Sequence, residues 1–83
     1  MLPSGNYWAR KNIRMSTIKF PQRLKELRQE KNLTRAQLAA DIKVHPASIN
    51  DWEVDRHRPS FEVLVELAKY FRVTTDYLLG LED

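Results

Sequence analysis

The sequence contains no cysteine. That removes disulfide staples, thiolate metal ligands and a cysteine nucleophile in one step. Histidine is scarce. His45 and His57 stand 12 positions apart, outside the short spacings that build zinc sites. No nucleophile or carboxylate constellation accompanies either of them. No metal, no other cofactor and no enzymatic activity is therefore expected. No apolar run approaches the ~18 residues that would read as a membrane span. The basic start lacks the apolar stretch of a secretory signal, so the default compartment is the cytoplasm. Repeats and low-complexity runs are absent. At 83 residues one small domain is expected, and a domain of this size rarely has room for a large catalytic cleft beside its core.

What is there begins with an uneven charge. The net charge is +3, but residues 1–19 hold Arg10, Lys11, Arg14 and Lys19 and no acid. The remaining residues hold 10 basic and 11 acidic side chains. The high pI therefore belongs to the N-terminal stretch, and it does not mark the rest of the chain as a basic nucleic-acid binder. Residues 1–17 show no sustained period and carry Pro3, Ser4, Gly5 and Asn6. They read as a flexible arm ahead of a domain at 18–83. Two roles stay open for Arg10, Lys11 and Arg14: contact with DNA phosphates, or a charged tail that only raises the pI. Tyr7, Trp8 and Ile13 are apolar for a linker, and Met15 is an alternative start.

From Phe20 onward the period is helical. Phe20, Leu24 and Leu27 form one stripe of a first helix, which Asn32 ends by tolerating the left-handed conformation. Thr34 and Gln37 in TRAQ spell a capping box that opens a second helix, with Leu38, Ala39 and Ile42 on its inner face. Lys43, Val44 and His45 make a turn. Pro46 suits the first position of a third helix, PASINDWE, because its missing N–H costs nothing there. At 100° per residue, Ile49 and Trp52 point one way, and Ala47, Asn50 and Asp51 the other. After the loop VDRHRPS, Ser60 caps a fourth helix with the stripe Phe61, Leu64, Leu67, Ala68 and Phe71. Val73 and Thr74 introduce a last short helix, TDYLL, and Gly80 ends it. The expectation is an all-α chain of five helices with no strand.

Two short helices joined by a three-residue turn suggest a helix-turn-helix. With RLKELRQEKNLTRAQLA, VHPASINDWE, RHRPS and LVELAKYFRVTTDYLLG in order, the chain resembles the lambda-repressor-like, Cro-type helix-turn-helix domains of the XRE family. The resemblance runs from about Phe20 to Leu81. It implies a compact five-helix bundle that binds double-stranded operator DNA as a symmetric dimer. It places Arg35 at a phosphate or base contact at the start of helix 2. His45, Pro46, Ala47, Asn50 and Asp51 fall on the recognition helix, and Arg56 and Arg58 in a backbone-touching loop. Arg28 and Glu53 match two positions that often form an ion pair between helices 1 and 3. There are departures. Lys43 stands where the family's turn usually has Gly, His45 where Ser or Thr caps the recognition helix, and Arg35 where Gln is usual.

PASINDWE has no Lys and no Arg, which raises the question of what it would read with. Affinity for DNA comes largely from phosphates and specificity from base edges, so the two tasks can sit on different elements. Asn50 is the best reader, since Asn can bond adenine N6 and N7 together. Ala47 offers a methyl to thymine, and Ser48 and His45 can reach a base or a phosphate. Asp51 repels phosphate but can accept from cytosine N4. Arg35, Lys43, Arg56 and Arg58 would hold the backbone. Tyr77, Leu79 and Leu81 carry more apolar area than a short last helix can bury, which makes them candidates for a homodimer interface.

The expected function is a sequence-specific transcriptional regulator, a prokaryotic or phage-type repressor acting by occupancy, with any signal arriving through a regulatory protein partner or proteolysis. Two alternatives differ in kind. One is an antitoxin that binds a toxin protein and its own operator, for which only the arm would serve as the toxin-binding segment. The other is a protein-interaction module of the same fold without DNA binding, which Asp51 and the negative balance of the globular part favour.

Overall fold

The computed structural model describes residues 18–83, and the arm with Arg10, Lys11 and Arg14 lies outside them. Five helices follow one another: α1 at Phe20–Glu30, α2 at Arg35–Ile42, α3 at Pro46–Glu53, α4 at Phe61–Phe71 and α5 at Thr75–Leu79. No strand occurs among the described residues. Four of the helices start on a side chain that takes an N–H the helix cannot use itself. Thr34 Oγ1 accepts from the Gln37 N–H at 3.0 Å while Gln37 Oε1 accepts from the Thr34 N–H at 2.8 Å, a complete capping box. Ser60 Oγ accepts from Val63 N–H and Thr74 Oγ1 from Tyr77 N–H. His45 does the same for α3 through its ring. Helix α1 has no side-chain cap and relies on Pro21 in its first turn.

The helix exits share one device. Asn32, Lys43, Asp55, Arg72 and Gly80, just past the five helices in turn, all have positive φ, at 56°, 63°, 60°, 58° and 94°. The next residue's N–H then reaches back to the last turn: Leu33 to Arg28, Val44 to Ala39, Arg56 to Asp51, Val73 to Ala68 and Leu81 to Asp76. These are Schellman-type exits, which satisfy carbonyls a helix leaves orphaned. Only one uses glycine, in a chain with just two. At Gly80 the need is double, because an added Cβ would also lie 2.9 Å from Lys19 Cγ. At the other four exits an L side chain occupies the left-handed region, at a cost on the order of 1 kcal/mol each.

The stripes meet in one core. Phe20, Leu24, Leu27, Leu38, Ala39, Ile49, Trp52, Leu67, Ala68, Phe71 and Leu78 are buried. Ala39 is fully covered, so its small side chain lets a neighbour come close at the α2–turn–α3 unit. Two members of the α4 stripe are less covered than expected. Phe61 is 84 % exposed and Leu64 only partly buried. Phe61 is the first residue of α4, where the helix has barely begun and no element lies over it. Its ring instead lines an open apolar cleft with Ile18, Pro59, Leu64 and Leu79. The last helix is strapped to the first: Arg23 Nη1 donates to the carbonyls of Tyr77 and Glu82, its guanidinium lies 4.2 Å from the Tyr77 ring centroid, and Lys19 N–H donates to Leu79 O at 3.2 Å.

The non-glycine exits yield a test. Arg72 is exposed and its side chain is not part of the core. Arg72→Gly relieves the left-handed cost of ~1–2 kcal/mol and adds back ~0.5–1 kcal/mol of unfolded-chain entropy. The net expectation is a stabilisation of roughly 0.5–1 kcal/mol, read in urea as a higher midpoint at unchanged slope. Gly80→Ala should move the midpoint the other way.

Candidate nucleic-acid interface

Helices α2 and α3 are joined by the turn that Lys43 makes possible in the left-handed conformation, with Val44 N–H bonded back to Ala39 O at 2.9 Å. Leu38 and Ala39 from α2 and Ile49 and Trp52 from α3 go into the core. That fixes the rotation of α3 about its axis. Pro46 and Ala47 are exposed and Ser48, Asn50 and Asp51 are half-buried. The helix thus offers a short edge without a cation of its own, with Asn50 in its middle and Asp51 beside it. At its start, Ala47 N–H donates to His45 Nδ1 at 3.0 Å. A neutral imidazole that accepts at Nδ1 carries its proton on Nε2, and His45 is exposed.

Behind α3 lies a charge network. Arg28 Nε donates to Glu53 Oε2 at 2.6 Å and Arg28 Nη2 to Glu53 Oε1 at 3.0 Å, a two-bond fork. Arg28 Nη1 donates to Leu33 O at 2.8 Å. The pair is nearly dry, with side chains 9 % and 1 % exposed. Its bonds to Glu53 hold the Arg28 guanidinium above its ordinary pKa, against the opposing pull of burial. The third member is Arg35, whose Nε donates to the same Glu53 Oε1 at 3.1 Å. Arg35 is the first residue of α2 and Glu53 the last of α3. The network therefore joins the end of the recognition helix both to α1 and to the entry of α2.

The loop after α3 holds two more pairs. Arg56 Nη1 donates to Asp51 Oδ1 at 2.6 Å, and Arg58 donates through Nε and Nη2 to Asp55 Oδ1 at 3.1 and 3.0 Å. Both are partly exposed, and such pairs contribute ~0–1 kcal/mol. Their relevance is placement: Asp51, on α3, holds Arg56 beside the helix. The tie of Arg35 to Glu53 and the carboxylate partners of Arg56 and Arg58 were missed in the sequence. The spacings Asp51–Arg56 and Asp55–Arg58 were the available signal for the last two. Of the apolar candidates on α5 and beyond, Tyr77 and Leu79 are half-buried against the core while Leu81 is 74 % exposed.

The fold and this unit define a helix-turn-helix protein. A helix-turn-helix family model matches residues 24–78, and the chain belongs to that family, of the Cro and XRE type. Among curated proteins it is 40 % identical over 64 residues to the HTH-type transcriptional regulator YobD of Bacillus subtilis, covering 77 % of this chain and 57 % of that one. It is 39 % identical over 66 residues to the HTH-type transcriptional activator BcrR of Enterococcus faecalis, covering 80 % of this chain and 32 % of the relative. The HTH-type transcriptional regulator ImmR of Bacillus subtilis is 32 % identical over 62 residues, 75 % of this chain and 49 % of the relative. The chain thus spans between about a third and somewhat over half the length of these relatives. No helix among the described residues is long and apolar enough to cross a membrane.

Removing either partner of the buried pair, by Arg28→Met or Glu53→Leu, should cost roughly 3–5 kcal/mol, because the other charge is left dry and uncompensated. The double replacement should cost less than the sum of the two, and additive losses in a denaturant-based double-mutant cycle would contradict that coupling. At the cap, His45→Ala should cost ~1 kcal/mol and His45→Ser almost nothing, since a hydroxyl can take the same N–H.

Proposed function

We propose that this chain is the DNA-binding unit of a cytoplasmic transcription regulator that recognises a dyad-symmetric operator as a homodimer and represses by occupying it. The observation that carries the reading is the arrangement around α3. Its outward edge carries no cation, with Asn50 and Ala47 able to meet base edges, and its own carboxylates hold cations beside it: Glu53 holds Arg35 and Asp51 holds Arg56. Lys43 at the turn and Arg58 in the loop complete the set of phosphate holders. Ser48 and the Nε2–H of His45 serve as further donors, and Pro46 keeps the entry of the helix stiff. A reading edge flanked by cationic holders separates specificity from affinity, as DNA recognition permits.

Paired charges also answer the problem posed by Asp51. A carboxylate already bonded to Arg56 repels phosphate less than an open one, and Arg56 is kept where a phosphate can take it over. The dimer contact we assign to Leu81, Leu79 and Tyr77, with exposed Phe61 as a further apolar surface. Arg10, Lys11 and Arg14 would add phosphate contacts from the arm. Any regulatory partner protein would act by shifting this dimer on or off DNA.

The experiment is selection of binding sites from a random duplex library. The expected result is a pair of inverted half-sites about one DNA turn apart. Failure to bind any duplex at low salt would overturn the reading in favour of a protein-interaction module. Repression is checked by a reporter with the selected site over its promoter, where increased output would reverse the assigned sign. Within the selected site, Asn50→Ala should relax base preference at one position per half-site and cost ~1–3 kcal/mol there. Arg58→Ala should instead weaken all sites about equally and flatten the salt dependence by about one unit of slope. Two variants that behave alike across the library would contradict this division.

A further inference from the structure

The Arg28–Glu53–Arg35 network is more than a brace for the fold. We infer that Glu53 is a positioning residue for DNA binding, which presents the Arg35 guanidinium end-on to a phosphate of the operator backbone. The inference rests on the DNA-binding reading above and adds a residue to which the family resemblance gave only an internal ion pair.

Three observations converge. Glu53 has a side chain 1 % exposed, and its two oxygens accept three hydrogen bonds, from Arg28 Nε, Arg28 Nη2 and Arg35 Nε. Arg28 is buried and spends its third nitrogen on Leu33 O, so this half of the network is rigid and closed. Arg35 differs: its side chain is 41 % exposed, and it is tied through Nε. Among the described residues no hydrogen bond engages its two Nη groups. A guanidinium held at Nε has only its far edge left, and that edge bears a two-pronged N–H fork matched to phosphate.

Two arginines share one carboxylate here, so the network carries a net positive charge, and that charge is displaced to its exposed end. The core part is neutralised by Arg28 and Glu53, and the excess sits on Arg35 at the entry of α2. Burial of Glu53 matters to this. Its orientation is set by Arg28, not by water, so the direction of the Arg35 fork is fixed before any DNA arrives. Long cationic side chains lose rotamer freedom on making a contact, and a pre-aimed fork loses less of it. An exposed arginine without this tether would supply the same charge but not the same alignment.

Lysine separates charge from alignment. It keeps the positive charge but has neither Nε–H to bond Glu53 nor a fork for a second bond. The full chain is titrated against a fluorescein-labelled duplex carrying the selected site, over a range of salt, with wild type, Arg35→Lys, Arg35→Ala, Glu53→Gln and the Arg35→Ala/Glu53→Gln pair. Arg35→Ala should weaken binding about tenfold, the scale of a lost charge-assisted bond, and lower the salt slope by about one contact. Arg35→Lys should lose most of that affinity while keeping the slope. Glu53→Gln should also weaken binding in the wild-type background and add nothing once Arg35 is alanine. Binding by Arg35→Lys equal to wild type overturns the inference, as do additive losses for Arg35→Ala and Glu53→Gln. Should Glu53→Gln not fold, the lysine variant still discriminates, because Arg35 lies outside the core. A wild-type chain that binds no duplex at low salt overturns the DNA-binding reading itself, and the inference with it.

Discussion

The buried pair of Arg28 and Glu53 is the constraint on which the rest of this small domain turns. Two opposite charges lie out of water, joined by two hydrogen bonds of 2.6 and 3.0 Å. Desolvation makes such a pair a poor source of net stability, since an apolar pair of similar volume often does as well or better. What it supplies is geometric. A carboxylate that must face one guanidinium fixes the end of α3 against α1, and an unpaired alternative is too costly to populate. The register of the recognition helix is thereby set from behind by charge, while Ile49 and Trp52 set its rotation by burial.

The helices themselves are delimited by local chemistry. Side chains at Thr34, His45, Ser60 and Thr74 close the starts. Left-handed residues close the ends, four of them without glycine. Each such exit stores some backbone strain, and together they set how short the helices and how tight the connections can be. The turn at Lys43 is the one that joins α2 to α3. Its left-handed backbone lets α2 and α3 follow each other across three residues, and Lys43 lines an open cleft with Asp41, Glu66, Lys69 and Tyr70. Glycine there would remove both the strain and the charge.

A division of labour follows from how charge is distributed. The part of the chain beyond residue 19 has no net positive charge, so a broad basic face is not what it offers. Its cations are instead placed one by one by carboxylates: Glu53 with Arg35, Asp51 with Arg56, Asp55 with Arg58. Each of these carboxylates fixes where one guanidinium lies.

Much of this was legible in the sequence because it is written in local terms. The capping box at Thr34, the proline at position 46, the 3.6-residue stripes and the glycine at position 80 each act within one turn of chain, and these gave five helices and a helix-turn-helix. Family resemblance added the meeting of Arg28 with Glu53, which no local pattern carries. What tertiary structure alone decided was partnership across elements and the reach of cover over each stripe. Phe61 has the right period for the core but sits at the first turn of α4, where nothing packs over it. Arg35 has the composition of a lone phosphate contact, yet it shares a carboxylate 18 residues away with a second arginine. Periodicity specifies which way a side chain points from its own helix. It does not specify what another helix brings to meet it, because that depends on how all five pack at once.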